Sequence, residues 1–175
     1  TVTRLADDRF RITTGSAVVD ADLGWLRMHA NDEDGRVELR EASEDLAVVG
    51  LWGPLARDVL QAVSDEDVSN EGFPYLTARD LGLGGARVLA QRVSWVGELG
   101  WELWVDPEWA VAVWDRLVRA GRPHGIRACG YRVLEGLRLE RGYRAFGTDL
   151  TAGDGPDEAG LSFCVDVAKP FVGRE

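Results

Sequence analysis

Residues 92–105 read Arg92-Val93-Ser94-Trp95-Val96-Gly97-Glu98-Leu99-Gly100-Trp101-Glu102-Leu103-Trp104-Val105. Two β-type runs flank a four-residue connection between Gly97 and Gly100. Glycine reaches positive φ without steric cost, so the spacing predicts a hairpin with a tight loop. Side chains alternate faces along a strand. Trp101, Leu103 and Val105 therefore share an apolar face, while Glu102 and Trp104 share the other. A carboxylate held beside an indole, short of full solvation, suits a planar ligand that presents adjacent N–H donors. Alternation is common, however, and by itself favours a plainer reading of Glu102 as the polar residue of an edge strand.

The 175 residues suffice for one domain with a real core. Apolar residues make up 45% and charged residues 29%, which excludes a disordered chain. No apolar run reaches membrane-spanning length and no secretory leader is visible. The net charge of −10 argues against nucleic acid and anionic membranes as partners, since both need a basic footprint. Lys169 is the one lysine among 20 basic residues, an arginine bias that suggests a GC-rich bacterial gene; the location expected is the bacterial cytoplasm. Cys129 and Cys164 lie far apart, and His29 and His124 are isolated, so neither a disulfide framework nor a zinc site is expected. A start at Thr1 and an end at Gly173-Arg174-Glu175 suggest a piece of a longer protein.

Working outward, Thr1 to Leu5 and Arg9 to Thr14 read as an antiparallel pair around Asp7-Asp8. Asp20 is placed to cap a helix running to Ala30, with Leu23 and Leu26 inward. Asn31 to Gly35 reads as a solvated turn that lacks calcium-loop spacing. Val37–Arg40 and Leu46–Trp52 read as strands, the second apolar throughout and so central. Gly53-Pro54 opens a helix burying Leu55, Val59, Leu60 and Val63. Ala78–Leu83 and Arg87–Val96 flank the Gly82-Leu83-Gly84-Gly85 hairpin, which has no following helix or Lys-Ser/Thr and is no phosphate loop. Asp106-Pro107-Glu108 starts a helix lined by Ala110, Val113, Trp114 and Leu117, ended by Gly121 and Pro123. A further helix spans Gly130–Arg141, with Leu134 and Leu137 inward and Gly142 as its C-terminal cap. Gly136 in its middle costs helix stability and suggests close approach by a backbone or ligand. A last strand is expected over Leu161–Val167. Hairpins outnumber crossovers, so the fold class is α+β with mainly antiparallel sheet and packed helices.

Three stretches together resemble the aminomethyltransferase (glycine-cleavage T-protein) family. Val93 to Leu103 is similar to its Tyr-x-Gly-Glu-x-Gly-x-Glu signature. Gly130-Tyr131-Arg132 through Leu137-Arg138-Leu139-Glu140-Arg141-Gly142-Tyr143 resembles its Gly-x-Arg…Leu-Arg-Leu-Glu-x-Gly helix. Gly147-Thr148-Asp149-Leu150, Glu158-Ala159-Gly160-Leu161 and Gly173-Arg174-Glu175 resemble the segment that follows. The wording is nearer still to the C-terminal folate domain of dimethylglycine and sarcosine dehydrogenases and oxidases, where Gly50-Leu51-Trp52-Gly53-Pro54, Ser69-Asn70-Glu71, Phe73-Pro74, Arg141-Gly142-Tyr143-Arg144 and Phe163-Cys164-Val165 also fit. The resemblance covers nearly the whole chain. It implies a T-protein-like folate-binding fold over residues 1–175, with the family's N-terminal part and C-terminal barrel lying outside them.

It also implies tetrahydrofolate as cofactor. The reaction implied is transfer of a one-carbon unit from an aminomethyl or iminium donor to give 5,10-methylenetetrahydrofolate. The second glutamate of the signature grips the pterin, a role that carries over to Glu102 and reverses the plainer reading. A carboxylate can accept an amino N–H and a ring N–H in parallel. Arg132 matches the arginine of Gly-x-Arg, with two roles open: pairing with Glu102 or holding a folate oxygen. Trp95 stands where the family has tyrosine, and can stack but not supply a hydroxyl. Trp104 is placed to wall the ligand site or cover the sheet, and Tyr143 to touch folate or pack. Glu98 reads as a loop carboxylate in water.

The family's catalytic aspartate falls about two residues before Thr1 on this alignment. Asp7 and Asp8 are poor substitutes, so these residues alone are expected to be catalytically inactive and to bind folate weakly or not at all. The implied partners are folate, a small amine-derived substrate and, in a dehydrogenase-type parent, an upstream FAD domain. The alternatives are a free-standing glycine-cleavage aminomethyltransferase, a non-catalytic folate-binding regulatory module, or an interaction domain that has lost the ligand.

Overall fold

The computed structural model describes residues 1–30 and 37–174. The Asn31–Gly35 turn lies outside the described residues. The chain divides into two compact units: Thr1–Ser94 with Glu98–Arg127, and Trp95–Gly97 with residues from Ala128 onward.

The first unit is built on a four-stranded antiparallel sheet. Its strands are β3 (Ala47–Trp52), β4 (Ala78–Leu83), β5 (Ala86–Gln91) and β6 (Gly100–Val105), in the spatial order β3-β6-β5-β4. Alternation sorts β6 as expected: Trp101, Leu103 and Val105 are fully buried, Glu102 and Trp104 half-buried. The buried face joins Leu51, Leu81, Leu83, Val88 and Ala90 from neighbouring strands. Helices α2 (Ala56–Gln61) and α3 (Ala110–Gly121) cover it with Val59, Leu60, Val113 and Leu117. Burial of this apolar surface is the main stabilising term of the unit. Asp106 accepts from the Glu108 backbone N–H ahead of α3, as the Asp-Pro-Glu start predicts.

A separate antiparallel ribbon, β1 (Val2–Ala6) with β2 (Arg9–Ile12), reaches the sheet's other face. There Gln91 Nε2 donates to Thr3 Oγ1 at 2.5 Å, and the Arg11 guanidinium lies over the Trp104 ring, 4.9 Å from its centroid.

Several expectations are corrected. The link between β5 and β6 is eight residues, 92–99, rather than four. The β5–β6 pairing ends at Gln91 and Glu102: beyond it the Arg92 backbone bonds Leu76 and Thr77 on the other side, and Ser94 Oγ takes the Glu98 N–H. Strand β3 is an edge strand, not a central one, because β5 and β6 hold the middle; Val48 accordingly remains 48% exposed. Residues 37–40 form no strand. Leu55 precedes α2 and is exposed, and Trp114 on α3 is 41% exposed. Helix α1 (Val19–His29) forms, entered through a 3-10 turn at Ser16–Val18, so Asp20 sits in its first turn and does not cap it. No residue of α1 is fully buried.

In the second unit, helix α4 (Tyr131–Glu140) is followed by Gly142 at φ 69°, the left-handed residue expected at its end. Leu134 and Leu137 are only half-buried; the buried residue of α4 is Arg138. The expected strand at 161–167 is absent. Local turns take its backbone donors, with Leu161 N–H bonded to Pro156 O, Cys164 to Leu161 O and Val165 to Ser162 O. All strand ladders in the described chain are antiparallel, so the fold class is α+β with antiparallel sheet, as read from the sequence.

Candidate functional site

Glu102 sits between two cross-strand partners, Gly50 on β3 and Gln91 on β5. Gly50 has no side chain, and the Trp52 ring occupies the space that a Cβ there would need. The Trp52 indole is held by donation to Val93 O at 3.1 Å. Trp104, two residues along β6, projects from the same face as Glu102. The carboxylate is thus walled on its own sheet face by Trp104, Gln91 and the Trp52 ring over Gly50. Burial raises its pKa above the ordinary glutamate value, partly offset by the Trp104 indole. The indole N–H lies close enough to ease the shift, yet completes no hydrogen bond of normal geometry, and Trp104 Nε1 is unpartnered.

It is not alone. Gln91 Oε1, Arg11 Nη1 and Thr13 Oγ1 are also buried without a hydrogen-bond partner. Arg11 is held below its usual pKa by desolvation and by the charge of Arg9. Buried polar atoms are normally satisfied, because each orphan costs the desolvation it has suffered. Orphans from β2, β5 and β6 thus accompany the half-buried carboxylate: an amide oxygen left as acceptor, a guanidinium and an indole left as donors, and a hydroxyl that can be either. The recess near Glu66, Asp80, Gly82 and Arg87 lies at the far turn of β4 and β5, away from this chemistry. Of this group the sequence singles out Glu102 and Trp104 alone. Arg11, Thr13 and Gln91 look like ordinary polar positions of alternating strands until the ribbon is laid on the sheet.

In the second unit, Trp95 and Tyr143 come together with ring centroids 6.2 Å apart and planes inclined by 36°. Both keep exposed surface, 41% and 38%. Arg132 is exposed in the first turn of α4. The buried Arg138, assigned no role from sequence, ties this unit together. Its guanidinium donates to the Tyr143 carbonyl at 2.8 Å and pairs with Asp149 and Glu135. Asp149 in turn accepts the Ala145 N–H at 2.8 Å, which closes the turn after Tyr143. No heavy atom of the described residues lies within 4 Å of where a side chain at Gly136 would begin, so no other backbone approaches it closely. Glu98 is half-buried rather than in open water. Cys129 and Cys164 are not disulfide-bonded.

The family model described as GCVT N-terminal domain matches residues 1–169. The chain belongs to this family. Among relatives, the mitochondrial sarcosine dehydrogenase of Mus musculus is 39% identical over 96% of the chain and 18% of that enzyme. The mitochondrial dimethylglycine dehydrogenase of Homo sapiens is 37% identical over 100% of the chain and 20% of that enzyme. An aminomethyltransferase of Halalkalibacterium halodurans is 33% identical over 98% of the chain and 46% of that protein. The chain thus spans about a fifth of the dehydrogenases it matches. The arginine bias misled on location: the 39% and 37% relatives are mitochondrial enzymes, which overturns the expectation of a bacterial cytoplasmic protein.

Proposed function

We propose that this GCVT domain binds tetrahydrofolate through Glu102 and serves as the folate half of a flavin-dependent sarcosine- or dimethylglycine-type demethylating enzyme. The observation that carries the reading is the half-buried, desolvated Glu102 carboxylate on the sheet face it shares with Trp104 and with the unpartnered Gln91 Oε1. A ligand with two parallel N–H donors restores what burial has removed, and a bidentate, charge-assisted pair is the strong form of such a contact. Arg11 and Thr13 supply donors to a ligand carbonyl, and the Trp104 face supplies apolar surface. Within the second unit, the Trp95–Tyr143 pair offers partly exposed aromatic surface on which a planar group can stack. Bound tetrahydrofolate supplies the nitrogen nucleophiles that take up the one-carbon unit from an amine-derived donor.

The acid–base carboxylate is assigned upstream of Thr1. Asp7 pairs with Arg4 at 2.7 Å, its side chain fully exposed at the end of the ribbon, and cannot take that role. An FAD domain earlier in the parent chain would oxidise the amine. Higher identity to the dehydrogenases than to the aminomethyltransferase favours this over a free-standing transferase. Calorimetric titration with tetrahydrofolate tests the core of the reading. The full-length protein should bind it and Glu102→Ala should not; equal titration of both removes Glu102 as the anchor.

A further inference from the structure

Gln91 has the features of a ligand-reading residue rather than a filler of the fold. It is 1% exposed, and its amide is half used. The Nε2 group donates to Thr3 Oγ1 at 2.5 Å, which turns the amide and leaves Oε1 as a buried acceptor with no donor. Its cross-strand partner is Glu102, so the two side chains leave the same face side by side. Two acceptors are therefore adjacent in a water-poor place, an arrangement that favours a donor between them.

Two acceptors that share one amino group, each about 2.9 Å from its nitrogen along the two N–H directions, stand about 5 Å apart. Directly opposed side chains of an antiparallel pair, about 5 Å apart at Cβ, can reach that separation. We propose that Gln91 and Glu102 form a two-acceptor corner around one exocyclic amino group, with Gln91 specifying the 2-amino substituent of the pterin. Glu102 takes one N–H of that group together with the neighbouring ring N–H. Gln91 Oε1 takes the second N–H. This assignment rests on the folate reading above and adds to it a determinant of specificity outside the family signature.

The test is titration of the full-length protein with tetrahydrofolate and with its 2-methylamino analogue, which keeps one N–H and puts a methyl group where Gln91 should accept. Wild type should prefer tetrahydrofolate by about tenfold or more, the worth of one good hydrogen bond. Gln91→Met is nearly isosteric and lacks the acceptor. It should bind tetrahydrofolate about tenfold more weakly and reduce the preference to about twofold or less. A structural role alone would weaken binding of both ligands alike and leave the preference between them unchanged. A folded Gln91→Met that keeps both the affinity and the preference overturns the proposal. If Gln91→Met does not fold, Gln91→Ala is read by the same criterion. If neither folds, the wild-type preference decides: its presence supports the corner and its absence overturns it. Failure of wild type to bind tetrahydrofolate refutes the folate reading itself, whereas binding without preference refutes only the role of Gln91.

Discussion

Glu102 and Gly50 are direct partners across the β3–β6 ladder, and the missing side chain at Gly50 lets the Trp52 ring lie beside the carboxylate. The site is therefore shaped by an absence on one strand as much as by a charge on the next. A methyl group at Gly50 must displace Trp52, whose indole is anchored to Val93 O. Overpacking of this kind costs about 1–3 kcal/mol. Gly50→Ala is expected to lower the melting temperature accordingly and to weaken tetrahydrofolate binding, both measurable on one preparation by melting and titration.

The raised pKa of Glu102 gives a pH signature. A carboxyl whose folded pKa lies above its unfolded value contributes stability fully below the unfolded pKa and loses it as pH rises through the folded one. At neutral pH the ionised Glu102 is a cost to the unliganded fold. Glu102→Gln should therefore melt above wild type at neutral pH, with the gap closing on acidification, in melts from about pH 8 to about pH 4. Folate binding by wild type should fall over the same acid limb, since the protonated group no longer accepts two donors. A gap that widens towards acid would contradict the desolvated carboxylate.

Asn70 illustrates what the sequence could and could not show. The Ser69-Asn70-Glu71 and Phe73-Pro74 motifs were legible as family wording, but not as scaffold. In the structure Asn70 Oδ1 accepts from both Arg57 and Arg92 at 2.7 Å, while Arg92 also bonds the Phe73 carbonyl at 2.6 Å. The loop is thereby fastened beneath β5. Asn70→Ala leaves two guanidinium donors without this acceptor and is expected to cost about 1 kcal/mol. Chemical denaturation of the two proteins measures it.

The apolar alternation of β6, the Asp-Pro-Glu start of α3 and the Gly142 terminus were readable because each is a local rule acting on neighbours in sequence. Gln91, Arg11 and Thr13 were not, because their meaning depends on the ribbon of residues 2–12 meeting a sheet nearly ninety residues later. The strand expected at 161–167 failed for a related reason. Its β-branched and aromatic residues favour extended chain, but no ladder edge claims their N–H groups and nearby carbonyls do. The same holds for β3, where an apolar run described two covered faces and said nothing of its place in the strand order.

Arg138 should control the order of the second unit. Its partners, the Tyr143 carbonyl and the carboxylates of Glu135 and Asp149, lie on α4 and in the turn that follows. Asp149 is held below the usual aspartate pKa by the Ala145 N–H and then by Arg138. That contribution is present above the unfolded pKa and is lost as pH falls through the folded one. Arg138→Met is expected to speed amide exchange across residues 143–150, and acid should do the same to wild type. Asp149→Asn keeps an acceptor for Ala145 and should have the milder effect. Unchanged protection in Arg138→Met would show that the turn is held by something else.

Gly136 offers the opposite kind of test, a change that should help. It lies inside α4, exposed, with no heavy atom of the described residues near a built Cβ. Its backbone is helical and its φ is not positive, so alanine meets no backbone strain there. Replacing glycine by alanine in a helix interior is worth about 0.5–1 kcal/mol, largely through the freedom removed from the unfolded chain. Gly136→Ala should therefore raise the stability of the second unit by that amount in denaturant melts. A ligand that needs the bare backbone at this position would give a different pattern: the same gain in stability, but weaker tetrahydrofolate binding in titration. Unchanged binding with improved stability is the expected result, because the open surface around Gly136 leaves room for a methyl group.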